Sequence, residues 1–288
     1  MHRGYIDGAF DLVHSGHFNA IRQAKALNHH LVAGPNTDSA IEAAKGPTIL
    51  KEKERAAIIS AVKWVDETCY NSPYDVDEKQ LDKVNCQFYV HGDDPVYNAA
   101  GENMNEILGG LGRFKMIKRT TGISTTDITG RLLKLLEPDT DEDGPSTSTS
   151  KDSGKSKFTE PPKQQFLQTS TRISNFSNRS DPKPGDTIVY FAASCDLMHP
   201  GVIERLRLAK EQGDYLYVGL WDDEMIRFYK GAKYPLQSLQ ERILMALAIQ
   251  YVDDVVIGAP YIVTEDLIRS LNISKVVYVD TAEDQVKE

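Results

Sequence analysis

Asp7-Gly8-Ala9-Phe10-Asp11-Leu12-Val13-His14-Ser15-Gly16-His17 follows a short apolar stretch ending in Gly8 and runs into a helix-forming one, Phe18 to Leu27. The order reads as strand, loop, helix start, with two histidines three residues apart at the helix entrance. Backbone N–H groups at such a place lack helical partners and the helix dipole is positive, so it suits a phosphate. Gly16 lets the backbone approach a ligand closely. At i and i+3 the two rings share one side. Imidazoles there can hold charge developing on a nucleotide triphosphate under attack. The competing readings are a pair of surface histidines, or a metal site for which no third ligand stands nearby.

The stretch recurs. With Asp11 set on Asp196, an offset of 185 residues, His14 falls on His199, Gly16 on Gly201, Asp38 on Asp223 and Lys45-Gly46 on Lys230-Gly231. At an offset of 187, Glu54-Arg55 meets Glu241-Arg242, Val65-Asp66 meets Val252-Asp253, Pro73-Tyr74 meets Pro260-Tyr261 and Asn85 meets Asn272. One register held over so many landmarks makes the chain two copies of one domain. The expected division is residues 1–137, a linker over 138–186, and residues 187–288. Pro138 to Ser150 is acidic, polar and without periodicity, the composition of a disordered linker. Gln165-Phe166-Leu167-Gln168-Thr169-Ser170 has apolar residues that can pack on a domain.

Periodicity predicts an α/β fold. Leu31–Gly34 and Phe88–Val90 read as strands and Lys51–Val65 as a helix. Gly4 is expected to weaken the first strand, and Gly109-Gly110-Leu111-Gly112 reads as a loop. In the second copy, Ile188–Ala192, Tyr215–Leu220, Val255–Ile257 and Lys275–Val279 read as strands and Gln240–Tyr251 as a helix. Short strands alternating with helices imply parallel sheets covered on both faces. Ligands of such sheets bind at the carboxyl ends of the strands, near the switch in strand order.

The chain of 288 residues is 40% hydrophobic and 26% charged, with a net charge of −9. That balance argues against general nucleic-acid binding. The three cysteines form no CxxC pair, so neither a disulfide framework nor a zinc site is expected; reduced thiols in the cytoplasm are. No signal peptide or membrane span is expected.

Three further segments suit phosphate or nucleotide. Lys45 precedes Gly46-Pro47 and reads as a loop lysine whose recurrence as Lys230 favours a role; its ammonium can neutralise a phosphate. Arg119-Thr120-Thr121-Gly122-Ile123-Ser124-Thr125-Thr126-Asp127 opens a helix with Ile128, Leu132, Leu135 and Leu136 on its apolar face. Ser124 and Asp127 resemble a capping box, and an arginine before a hydroxyl-rich helix start is a second phosphate cradle. His91-Gly92-Asp93-Asp94 follows a strand, where polar groups suit base or ribose recognition.

Together these residues resemble the cytidylyltransferase family, whose HxGH signature is here His14-Ser15-Gly16-His17 and whose RTxGxST signature is here Arg119 to Thr125. Within it, the duplication, Val90-His91-Gly92-Asp93 and Phe166–Ser170 are similar to the branch that acts on ethanolamine phosphate. The choline-phosphate branch carries one copy. The resemblance implies two tandem Rossmann-like nucleotidyltransferase domains and transfer of CMP from CTP to phosphoethanolamine, in phosphatidylethanolamine synthesis. It implies that His14 and His17 hold the α-phosphate, that Lys45 bridges the two substrates, and that Arg119, Ser124 and Thr125 hold phosphates. Ala9, Phe10, His91, Asp93, Lys118, Thr120 and Ile123 would line the CTP site, Tyr74 would face the amine, and Mg²⁺ would accompany CTP. The two domains would pair within the chain, with a homodimer left open. The alternatives are another phospho-alcohol as acceptor, choline phosphate first among them, and a non-catalytic nucleotide-binding scaffold.

The second copy departs from the pattern. His17 corresponds to Val202, which has no donor; His91 corresponds to Tyr278 and Gly92 to Val279. The sequence reaches Glu288 before any RTxGxST. This copy is expected to be incomplete and catalytically dead, a structural or regulatory partner of the first.

Overall fold

Apolar β-branched and aromatic runs at the heart of each copy form strands that are buried on both faces, and both copies assemble them in the same order. The computed structural model describes residues 2–98, 101–136, 165–177 and 180–279. The first sheet contains β1 (Arg3–Gly8), β2 (His30–Pro35), β3 (Glu67–Thr68), β4 (Phe88–His91) and β5 (Phe114–Met116), in the order β3-β2-β1-β4-β5 with all pairings parallel. Around it lie α1 (Ser15–Ala26), α2 (Asp38–Lys45), α3 (Glu52–Ser60), α4 (Glu78–Lys83), α5 (Met104–Gly110) and α6 (Thr125–Leu135). After α7 (Gln165–Phe176) come β6 (Ile188–Ala193), β7 (Tyr215–Leu220), β8 (Asp254–Ile257) and β9 (Lys275–Val277), in the parallel order β8-β7-β6-β9. Their helices are α8 (Pro200–Lys210), α9 (Asp223–Lys230), α10 (Leu239–Leu247) and α11 (Glu265–Ser270). In the first sheet the strand order turns at β1 and β4, and the crevice beyond their carboxyl ends receives the Asp7–His17 stretch. The acidic run after Pro138 lies outside the described residues, as do residues 280–288.

The sequence repeat is matched contact by contact. Arg55 is fully buried; it donates to the carbonyls of Leu50, Ala9 and Asn36 and to Asp38 Oδ1. Arg242, equally buried, donates to Gln237, Ser194, Trp221 and Asp223, the four counterparts. Asp11 accepts the N–H groups of Ile49 and Leu50, as Asp196 does those of Leu236 and Gln237. Phe10 (φ 48°) and Cys195 (φ 49°) share the left-handed backbone, which is costly for a side chain and persists where the surroundings impose it.

The copies meet through corresponding residues. Val62 and Ile249 form an antiparallel bridge, flanked by Lys63 N–H to the Ala248 carbonyl at 3.0 Å and Gln250 N–H to the Ala61 carbonyl at 2.9 Å. Because 61–63 and 248–250 are counterparts, the junction has a local pseudo-twofold character. Helix α1 packs against α10 and α3 against α8, the same exchange. One apolar cluster runs through both copies, including Ile21, Ile58, Ile59, Leu206, Ile243 and Leu247. Phe176 at the end of α7 is buried against Trp64 at a centroid distance of 5.0 Å. Among the described residues no helix is long and apolar enough to cross a membrane.

Several local expectations are corrected. The helix expected over 51–65 is α3, which stops at Ser60, because residues 61–63 turn to make the bridge between copies. Likewise α10 stops at Leu247. Lys45 is the last residue of α2 rather than a loop residue; Gly46, at φ 99°, ends the helix. Gly109 and Gly110 close α5 instead of forming a loop. Leu136 is 81% exposed as the cap of α6 and takes no part in an apolar face. Gly4 does not interrupt β1: a Cβ there would come within 2.3 Å of the Asn28 side chain, so glycine is what lets Asn28 pack.

Candidate active site

The loop leaving β1 turns into α1 with His14 as its N-cap, and that cap fixes the site. The ring Nδ1 of His14 accepts the Gly16 N–H at 3.1 Å. The Nδ1 of His17 accepts the His14 N–H at a long 3.4 Å. These hydrogen bonds assign the proton of each neutral ring to Nε2. The rings lie 4.0 Å apart between centroids, and Phe10 meets His17 edge-on at 5.8 Å. Gly16 separates them for a steric reason: a Cβ would stand 2.9 Å from the His14 ring and 3.2 Å from Ile123. His14 is only 6% exposed. Burial lowers it to about 4, and burial with the nearby His14, Arg119 and Lys45 holds His17 well below the usual imidazole range. Both rings are therefore neutral donors at pH 7.

A cavity of about 700 Å³ opens in front of the pair. Ala9, Phe10, His14 and His17 line it from the first loop, and Lys45 from the end of α2. His91 lines it from the end of β4, and Lys118, Arg119, Thr120, Ile123, Ser124 and Thr125 from the segment that leads into α6. That segment is clamped to α1: Gln23 donates to the Lys118 carbonyl at 2.9 Å and accepts its N–H at 3.2 Å, and Asn19 donates to Thr120 Oγ1 at 2.9 Å. Ser124 caps α6, accepting the Asp127 N–H at 3.2 Å and donating to the Asp127 carboxylate at 2.6 Å. The start of α6 thus faces the same cavity as the start of α1, and each brings the positive end of a helix dipole.

Two of the sequence candidates stand apart. Asp93 is not on the cavity wall; its neighbour Asp94 is, and it pairs with Arg119 at 2.7 Å. Tyr74 is not on the wall either, but its ring lies 5.5 Å from the Lys45 ammonium. One residue that the motifs did not single out joins the site. Asp7, at the end of β1, lines the cavity and accepts from Tyr89 Oη at 2.9 Å and Asn36 Nδ2 at 3.0 Å. Burial pushes its carboxyl up, against the opposing pull of Asn36, His91 and Tyr89. His91 stacks on Tyr89, and its buried Nδ1 has no partner among the described residues. The signal for Asp7 was its place directly after an apolar strand and its change to Ala192 in the second copy.

A parallel sheet with two helix starts and a histidine pair converging on one nucleotide-sized cavity defines a nucleotidyl-transfer class of protein. The chain belongs to the cytidylyltransferase-like family, whose family model matches residues 5–131 and 190–288. Over 96% of its length it is 43% identical to the ethanolamine-phosphate cytidylyltransferase of Dictyostelium discoideum, of which it covers 79%. It is 40% identical over 98% of its length to the enzyme of the same name from Arabidopsis thaliana, of which it covers 70%. The similarity to choline-phosphate cytidylyltransferase 2 of Arabidopsis thaliana, 39% identical, extends over 46% of this chain.

Proposed function

We propose that the first copy transfers CMP from CTP to ethanolamine phosphate, giving CDP-ethanolamine and pyrophosphate. The similarity to ethanolamine-phosphate cytidylyltransferases over nearly the whole chain supports the acceptor, since the choline-phosphate relative matches less than half of it. The observation that carries the reading is the single cavity lined by His14 and His17, Lys45, Arg119 and the start of α6, with Asp7 at the strand end.

A phosphate oxygen of ethanolamine phosphate attacks the α-phosphorus of CTP in line, and pyrophosphate leaves. The attacking phosphate is largely dianionic at pH 7, with a second pKa near ~6, so no general base is needed. That agrees with two imidazoles that burial keeps neutral: their Nε2–H groups donate to the α-phosphate oxygens as charge builds there. The Lys45 ammonium draws the two phosphates together, while Arg119 and the α6 N–H groups hold the leaving pyrophosphate. Arg119 exchanges Asp94 for phosphate when CTP enters. Ala9, Phe10, Lys118, Thr120 and Ile123 shape the nucleotide end, and the unpartnered His91 Nδ1 adds a hydrogen-bonding group. Asp7 is the counter-charge for the ammonium of the acceptor, with Tyr74 offering an aromatic face beside Lys45.

Among the described residues no group of three or more His, Cys, Asp or Glu side chains is arranged to hold a metal ion. Mg²⁺ would therefore enter on the CTP phosphates rather than on a protein cage, and would screen their charge there. Three free cysteines support a reducing, cytoplasmic setting. The second copy, with Val202 for His17 and Ala192 for Asp7, supports the first structurally within the chain.

Pyrophosphate release with CTP and ethanolamine, choline or glycerol phosphate tests the reading. Ethanolamine phosphate is expected to be preferred, with turnover lost in His17→Ala. Equal turnover in wild type and His17→Ala overturns the site; nucleotide binding without turnover on any acceptor makes the first copy a scaffold.

A further inference from the structure

We propose that the second copy acts in the reaction through Arg131 and Glu241, a pair that positions the phosphate-binding start of α6; this rests on the nucleotide site proposed above. Arg131 lies seven residues along α6 from its cap Ser124, two turns away on the same helix. Its Nη1 donates to Glu241 Oε2 at 2.9 Å and to the Leu236 carbonyl at 2.9 Å, and its Nη2 donates to Glu241 Oε1 at 3.1 Å. This is a bidentate fork, the geometry in which arginine fixes direction as well as distance.

Glu241 is itself held in place. It closes the capping box of α10, accepting the Ser238 N–H at 2.7 Å and the Ser238 hydroxyl at 3.0 Å, and is only partly exposed. Arg131 thus meets a carboxylate that the second copy has already oriented. The rest of α6 is weakly anchored. Ile128 is its one fully buried residue, whereas Leu133 is 58% exposed. A helix of eleven residues with so little buried surface is marginal alone. The apolar cluster beneath it, Leu12, Ile123, Ile128 and Leu132, is itself completed from the second copy by Leu197. Ile123 belongs both to this cluster and to the neighbourhood of Gly16. A shift of α6 therefore moves the nucleotide-facing wall against the histidine loop. Both charges of the pair also act electrostatically on His14.

On this view the second copy lost its own site while keeping a carboxylate that serves the first. Arg131 and Glu241 are positioning residues, and the test separates positioning from stability. Arg131→Ala and Glu241→Ala are each expected to raise the KM for CTP about tenfold, with the KM for ethanolamine phosphate changed less than twofold. The double variant is expected to be no worse than the worse single one, and Arg131→Lys to recover part of the loss. Amide exchange of residues 125–131, measured without substrate, is expected to quicken about tenfold while α1 is unchanged. Leu206→Ala, in the apolar cluster that both copies share and off the cavity wall, is expected to lower Tm and leave the KM for CTP as it was. An unchanged KM for CTP, additive losses in the double variant, or KM changes in Leu206→Ala that follow Tm as those of Arg131→Ala do would each overturn the proposal. If the wild type turns over no CTP, the function proposed above fails, and the exchange of α6 still decides whether the pair positions it.

Discussion

His14 and His199 make the same hydrogen bond, ring Nδ1 to the N–H two residues on, both at 3.1 Å, yet one is buried and the other exposed. The difference is the wall that faces them. In the first copy the segment from Lys118 to Thr126 closes the far side of the cavity; the second copy has no such wall among its described residues. What the copies share is what the fold needs: the helix cap, the buried arginine, the aspartate that closes the loop, and the aspartate–lysine pairs Asp66–Lys25 and Asp253–Lys210. What they do not share includes groups that the proposed function assigns to the substrates, although His14 and Lys45 recur as His199 and Lys230. His17 has become Val202, Asp7 Ala192 and Asn36 Trp221. The polar network of the first sheet edge has gone too. Tyr5 Oη meets Ser72 Oγ at 2.5 Å, whereas the hydroxyl of its counterpart Tyr190 has no partner among the described residues, Ala259 standing where Ser72 does. Duplication has thus kept the residues that hold the backbone while changing part of the cavity wall, His17 and Asp7 among it.

The sharpest test of that contrast is a change to the shared set. Arg55→Ala and Arg242→Ala each leave four acceptors without their buried partner and are expected to destabilise by ~3–5 kcal/mol, equally in the two copies, by thermal or denaturant unfolding. A much smaller loss in the second copy would break the parallel. Next comes the unshared set. His17→Ala is expected to reduce turnover by ~10²–10³, about 3–4 kcal/mol, with little change in Tm, while Val202→His adds no turnover because Ala192 and Trp221 still stand where Asp7 and Asn36 do.

Acid distinguishes the copies by a smaller margin. His14 titrates near 4 in the folded chain because of burial, against ~6.5 when unfolded. Between those values the unfolded state takes up a proton that the folded state refuses. Stability is full above pH 6.5 and falls toward pH 4, by about 2–3 kcal/mol for this group. Urea midpoints across that range in wild type and His14→Gln check it; an acid limb of the same steepness in both would contradict the burial argument. Asp7→Ala, which copies Ala192, is expected to raise the KM for ethanolamine phosphate about tenfold, roughly 1.4 kcal/mol, and to leave that for CTP unaltered. His199→Ala should do least, a loss of about 1 kcal/mol in stability with the cap of α8 and no change in turnover.

Much of this was legible before any coordinates. The offset of the repeat located Arg55 and Arg242 as landmarks without saying why they recur; only the fold shows each filling one polar pocket with four acceptors. The strand and helix types followed from apolar periodicity, but α3 and α10 were drawn too long, because Ala61–Lys63 and Ala248–Gln250 leave their helices to bind each other across the junction. Asp7 was read as part of a phrase, since its role depends on Asn36 and Tyr89, which come from two other strands or their ends.

The amino-acid order alone established the duplication, the parallel α/β class and the two phosphate-seeking helix starts, for those depend on local spacing and on which side chains have donors. The tertiary structure decided which side chains of the first copy share a cavity, which carboxylate enters it, and how α6 is braced by Glu241 from 110 residues away in sequence. Such contacts depend on packing between distant segments, where burial sets the charge state of an imidazole or a carboxyl, and no local pattern records it.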